Sequence, residues 1–515
     1  MQQPHRTVVC HAANRRAPNV RTSRVLLVAS VVVATALALP SLLPGSGTTA
    51  VPTSTIAQGT ALSSSTGGSD WTMYMSSVTH TGIEAHESAL SAATAPNLTE
   101  LWNFTTGGRI VEQPVVVGGS VYIGSWDGNE YSVSLSNGSL QWKTYVGQTA
   151  GCGFTVPRGP ASTAEDLNGT LYFTGGDGYF YALDAANGSV EWRTFLMNNS
   201  PTVGFYGWAS AMIHNGAAYV GLASGCSNPN IVGGVAKIRL SNHTIVQRLD
   251  TAPPGTLGAD VWGTPTWDPV TSSIFISTGN GPINNSLDEG QLQLNPKTLA
   301  IESNWTVPVA LRVPDGDFGT TPVPVVTAKG VPLVVAANKD GILFAFNRTN
   351  LGLGPLWATR ISTGPTFSSA SFAKGMIFVG STATTKGTQT INGSVRAIRP
   401  GTGKVLWETP MPGAVFGSIS SANGLIATAG GDEIALLNAT SGAVVWSYIT
   451  NTTFQGAPSF AHGMLFEGGV DGTLFAFALP AGHGKGHTSG LASLLEPISL
   501  ARELGLATRR VVSVL

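Results

Sequence analysis

Charged residues are scarce in this chain. Asp, Glu, Lys and Arg make up 11% of its 515 residues and nearly cancel, leaving a formal net charge of −1. That balance excludes the basic footprint of a nucleic-acid binder and the acidic tail of a charged partner. Long helical periodicity is missing after residue 50. Cys-x-x-Cys-His does not occur, which excludes a covalently attached haem domain. His-Glu-x-x-His and Gly-x-Ser-x-Gly are absent too, so zinc hydrolysis and serine-hydrolase chemistry lack their motifs. There are three cysteines. In contrast, 64 glycines, 30 prolines and 42% hydrophobic residues describe a turn-rich chain of short strands.

The N-terminus differs from the rest. Residues 1–24 carry several basic side chains and no acid, and residues 25–43 run uncharged through "VLLVASVVVATALALPSLL". This is a signal peptide or a membrane anchor, with the body outside the cytoplasm, secreted or held at the cell surface. Residues 44–69, rich in Gly, Ser and Thr, read as a flexible linker. An extracytoplasmic compartment permits one disulfide. Asn-x-Ser/Thr patterns such as those at Asn97, Asn137, Asn187 and Asn438 are compatible with glycosylation. Residues 481–515 form a tail, a short helix or disordered.

Between them lies a repeat. "DGNEYSVSLSNGSLQW" (127–142), "DGYFYALDAANGSVEW" (177–192), "DGILFAFNRTNLGLGPLW" (340–357), "NGSVRAIRPGTGKVLW" (392–407) and "GDEIALLNATSGAVVW" (431–446) share one grammar. A turn leads into an alternating strand, and a second turn leads into a strand ending in Trp. With another strand upstream, each unit is a four-stranded antiparallel meander, the size of a propeller blade. Units end near Trp142, Trp192, Val246, Trp305, Trp357, Trp407 and Trp446. The last, 456–480, lacks its Trp strand, and "LTELWNFTT" (98–106) supplies one at the other end. Pairing the two closes the ring and removes its open edges. The expectation is all-β: one eight-bladed propeller over 70–480, acting as a monomer. The Trp residues are expected to pack between neighbouring sheets.

The Asp-Gly…Trp grammar resembles the pyrroloquinoline-quinone (PQQ) repeat of quinoprotein alcohol dehydrogenases, which also builds non-catalytic propellers. Four segments resemble the dehydrogenases' site motifs. "CGFTVPRG" (152–159) puts Arg158 where the family's cofactor-contacting arginine stands, suited to a carboxylate-bearing quinone. In "DVWGTPTWDPVTSSIFISTGNGP" (260–282) the resemblance makes Trp262 the floor under the quinone and Asn280 a calcium ligand. "PDGDFGTTPV" (314–323) makes Asp317 the catalytic base, beside the metal. "AANKDGILFAFNR" (336–348) puts Lys339 where a cation meets the quinone oxygens.

The resemblance implies a PQQ-dependent dehydrogenase, with Ca²⁺, oxidising an alcohol, sugar or polyol and passing electrons to a separate acceptor. The alternative is a non-catalytic extracellular scaffold that binds proteins or glycans. Two departures stand out. The family's glutamate calcium ligand should fall in 221–235, which holds no acid, only Asn228 and Asn230 as substitutes. The family's adjacent cysteine pair is broken by Gly153, so that Cys226 becomes the expected partner of Cys152.

Overall fold

The computed structural model describes residues 70–149, 157–199, 204–226, 230–281, 286–386 and 388–480. The segments expected as signal or anchor, linker and tail lie outside the described residues. Among the described residues no helix is long and apolar enough to cross a membrane.

Among the described residues the sheets number eight apart from one small hairpin, seven of four strands and one of five. Each contains four antiparallel strands, of which the innermost is short. Blade 1 begins at Val115–Val117, blade 2 at Glu165–Leu167, blade 3 at Met212–His214 and blade 4 at Thr266–Asp268. Blade 5 begins at Val323–Val326, blade 6 at Ser371–Ala373, blade 7 at Ser420–Ala422 and blade 8 at Ser459–Ala461. Thr99–Thr105 pairs antiparallel with Thr473–Ala478 as the outer strand of blade 8, so the ring closes as expected.

The repeat grammar has an inter-blade cause. The Trp ending one blade lies on the turn glycine of the next: a Cβ on Gly188 would sit 2.4 Å from Trp142, and one on Gly403 2.6 Å from Trp357. Those glycines also have φ of 72° and 66°, so both backbone and neighbour require Gly. The indole N–H then donates across the blade boundary, Trp142 to the Ala185 carbonyl at 2.9 Å and Trp357 to that of Pro400 at 2.7 Å. Blade 3 departs from the pattern because His243, at φ 59°, replaces the glycine and stacks on Trp192 at 4.5 Å.

A strap that shows no repeat pattern runs from Trp71 to Leu98 across the inner strands. Its carbonyls accept inner-strand N–H groups: Thr72 from Asp166, Val78 from Trp267, Thr81 from Phe372 and Gly82 from Ser421, at 2.7–2.9 Å. Ile83–Glu84 pairs parallel with blade 7. Inner strands are edges facing the axis, and the strap satisfies polar groups they would otherwise bury unpaired. His80 fastens it to blade 4 through Thr266 (2.9 Å); burial alone lowers this imidazole to about 3.

Candidate functional site

The chain approaching each inner strand lines the axis in successive levels. Two residues before the strand stands a ring that is polar at seven of eight blades: Gln113, then Thr163, Ser210, Thr264, Thr321, Ser369 and Ser418, with Ala457 at the eighth. Neighbours are linked, with the N–H of Thr264 donating to the Thr321 hydroxyl (3.0 Å) and that of Thr321 to Ser369 (2.9 Å). Tyr74 of the strap forms the floor, its hydroxyl bonded to Ser369 and Ser418. Four residues before the strand stand Trp208, Trp262, Phe367 and Phe416, with smaller groups at the remaining blades. The cavity they enclose measures about 440 Å³.

Charge enters on the side of blades 4 and 5. Asp260 and Asp317 occupy the same place, six residues before their inner strands. Each carbonyl accepts an N–H from the turn after its own blade's second strand: Asp260 from Gly279 (2.7 Å), Asp317 from Lys339 (2.8 Å). The turn Asn338-Lys339-Asp340-Gly341 is closed by Gly341 N–H to the Asn338 carbonyl (3.0 Å), with Gly341 at φ 77°. Phe318 anchors the facing loop against Phe344 at 5.3 Å.

Lys339 therefore points inward. Its Nζ donates to Asp317 Oδ2 at 2.6 Å and to Asp315 Oδ1 at 2.7 Å, and lies 5.1 Å from the centroid of Trp262. Asp317 Oδ1 accepts the backbone N–H of Asn280. Burial works against the ammonium, but the charges and hydrogen bonds of Asp317 and Asp315 outweigh it and hold Lys339 above its ordinary pKa. Burial raises Asp317, while Lys339 and the Asn280 N–H pull it back. With both carboxylate oxygens accepting N–H donors, the pair is an ion pair.

Asp260 is the site residue that the sequence motifs missed. Its Oδ2 accepts the N–H (2.7 Å) and hydroxyl of Ser224, while buried Oδ1 has no hydrogen-bond partner. Burial pushes it up to about 6, with the Ser224 hydrogen bonds pulling down and Asp317 adding to the rise. The signal was present as an internal alignment: "DVWGTPT" over "DFGTTPV". Across the cavity, Glu112 packs with Glu130. Burial raises both well above the ordinary carboxylate range, Glu112 also through the neighbouring Glu130.

The cavity thus brings together Trp262, Asp317 and Lys339, and adds Asp260. Two expected residues do not line it. Arg158 is buried: its guanidinium donates to the carbonyl of the lining residue Gly225 (3.2 Å) and lies 4.3 Å from the ring centroid of Tyr206. Asn280 meets Asp317 through its backbone, and its side chain is not part of the lining. Cys226 lines the cavity and is disulfide-bonded; Cys152 lies outside the described residues, as does Asn228.

A calcium ion is poorly served here, since it takes about six to eight oxygen ligands. Among the described residues no three His, Cys, Asp or Glu side chains gather to hold a metal. Asp317 is already neutralised by Lys339, and Asn230 uses its amide oxygen on the Ile231 N–H. A planar quinone is better served. Trp262 offers an indole whose position is fixed by Gly319, where a Cβ would fall 1.7 Å from the ring. The Lys339 ammonium stands over that same indole.

A family model described as outer membrane protein assembly factor BamB matches residues 45–200 and 391–485. The structure superposes on a europium-containing methanol dehydrogenase with a TM-score of 0.65 at 15% identity, covering 80% of this chain and 98% of that one. The chain shares the PQQ-repeat propeller fold. A quinohemoprotein alcohol dehydrogenase from Comamonas testosteroni gives the same PQQ-repeat propeller a TM-score of 0.65 at 17% identity, covering 83% and 82%. BamB from Moraxella catarrhalis gives 0.52 at 17%, covering 74% and 99%. At these identities the likeness is one of fold. No curated protein sequence matches the PQQ-repeat propeller described above.

Proposed function

We propose that this propeller is an extracytoplasmic dehydrogenase that oxidises an alcohol, sugar or polyol with PQQ bound in the axial cavity. The observation that carries this is Lys339, paired with Asp317 at 2.6 Å and standing over the ring of Trp262 in the axial cavity. The bound quinone would supply the two-electron acceptor for the substrate's hydride. Trp262 would give the ring a flat apolar platform, fixed from behind by Gly319. Lys339 would offer a preorganised ammonium to the quinone oxygen on which negative charge develops. Asp315 and Asp317 hold that ammonium in place and charged. Electrons would leave to a separate acceptor.

One observation favours a second reading, a non-catalytic scaffold for a protein or glycan partner. The segments matching the BamB family model, 45–200 and 391–485, leave out blades 3, 4 and 5, which carry the charged residues.

The test is to incubate the full chain with PQQ, separate it by gel filtration, and follow quinone absorbance and dye-linked oxidation of an alcohol panel. Retained quinone with alcohol-dependent dye reduction supports the dehydrogenase. An eluted chain free of quinone supports the scaffold.

A further inference from the structure

The repeat allows two aspartates to be compared at one position. In blade 5 the turn slot facing the aspartate holds Lys339, and both oxygens of Asp317 are engaged, Oδ1 by the Asn280 N–H and Oδ2 by the ammonium. In blade 4 the same slot holds Gly279, which brings no side chain. Asp260 therefore keeps one oxygen uncommitted. Ser224 fixes its Oδ2 twice, which sets the plane of the carboxylate; Oδ1 is buried and without a partner, on a residue that lines the cavity together with Trp262 and Lys339. A base must have a lone pair to offer, and a carboxylate locked in an ion pair is a poor proton acceptor, because protonating it breaks the pair and leaves a buried ammonium unpaired.

We infer that Asp260, through Oδ1, takes the hydroxyl proton of the substrate, while Asp317 serves as the positioning residue for Lys339. The inference rests on the dehydrogenase reading above and deepens it. In the step, the substrate O–H bond breaks and its proton goes to Asp260 Oδ1. The carbinol C–H bond breaks and its hydrogen leaves with the bonding pair to the quinone. The C–O bond becomes C=O, so the alcohol is oxidised by two electrons and the quinone reduced by two. The proton on Asp260 then balances the charge added to the reduced cofactor, whose electrons go on to the external acceptor. The charged groups facing Asp260 are Asp317 and Lys339, both from blade 5; Ser224 of blade 3 is neutral.

The experiment uses the full chain loaded with PQQ, a dye acceptor and short primary alcohols. Three quantities are read for wild type, Asp260→Asn, Asp260→Glu and Asp317→Asn: quinone uptake by absorbance, kcat/KM against pH, and the infrared carboxylic-acid band that forms when alcohol reduces the bound quinone. For Asp260→Asn we expect unchanged quinone uptake, a loss in kcat of about 100-fold or more, and no acid limb near pH 6. The infrared band should vanish with it. Asp260→Glu should restore part of the rate and the band. Asp317→Asn should weaken quinone uptake and keep the acid limb. The reverse pattern, with the limb and band lost in Asp317→Asn and kept in Asp260→Asn, overturns the assignment and leaves the dehydrogenase standing. A wild-type chain that takes up no quinone overturns both.

Discussion

Blades 4 and 5 are built on one plan and end with different chemistry. Both carry an aspartate six residues before the inner strand, and both clamp its carbonyl with an N–H from the following turn. They differ in the turn residue, Gly279 in one and Lys339 in the other. That one difference makes Asp317 half of a buried ion pair and leaves Asp260 with a free oxygen. The blade scaffold is indifferent to which it holds, because the turn is closed by backbone hydrogen bonds in either case. A repeat protein can therefore place an acid, a base and a cation side by side by changing single residues in equivalent slots, without altering the fold.

The strongest way to break the comparison is to make blade 5 like blade 4. Lys339→Gly removes the ammonium and leaves Asp317 buried and uncompensated, a change of the kind that costs about 3–5 kcal/mol. Thermal unfolding should show that loss, and PQQ titration should show affinity falling by roughly 100-fold as the charge-assisted contact disappears. Next in size is Gly319→Ala. Its Cβ would fall 1.7 Å from Trp262, so the indole must move, at about 1–3 kcal/mol of stability. Quinone affinity should drop with it, since the platform is displaced while the charges of both blades remain.

A change in a blade far from the pair should separate scaffold from site. Trp142→Phe loses the indole bond to the Ala185 carbonyl, worth about 1 kcal/mol in unfolding experiments, and leaves quinone titration unchanged. The pH prediction concerns the strap under blade 4. His80 is held down to about 3 in the folded chain against 6.5 when unfolded, so the unfolded state binds the extra proton first. Its contribution to stability is present above pH 6.5 and is lost as pH falls from there toward 3. Wild type should lose about 1.4 kcal/mol per pH unit over that window relative to His80→Gln, measured by denaturant unfolding at a series of pH values.

The fold was legible because its grammar has a physical cause that recurs. Each turn glycine must accept both a positive φ and the Trp of the preceding blade, so the two residues keep their spacing along the chain. The closing strand was legible from a deficit at one end matched by a surplus at the other. The strap was not, since it satisfies inner-strand N–H groups through its backbone and leaves no periodic mark on its side chains. In the site, Trp262, Asp317 and Lys339 were legible from motif resemblance. Arg158 stands in the segment the motif picked out and is not among the residues lining this cavity. Its guanidinium meets the carbonyl of Gly225 and the ring of Tyr206, contacts that a motif does not announce. Asp260 was hidden by the same resemblance, which drew attention to Trp262 two residues on. Aligning the blades on one another brings it out beside Asp317.

The central claim is that the Lys339 wall of the axial cavity binds a quinone, and calorimetric titration of PQQ into the full-length chain tests it most directly. One site per chain in wild type, weakened by roughly 100-fold in Lys339→Met, is the result the account predicts. No binding to wild type, or equal binding to both, would contradict it.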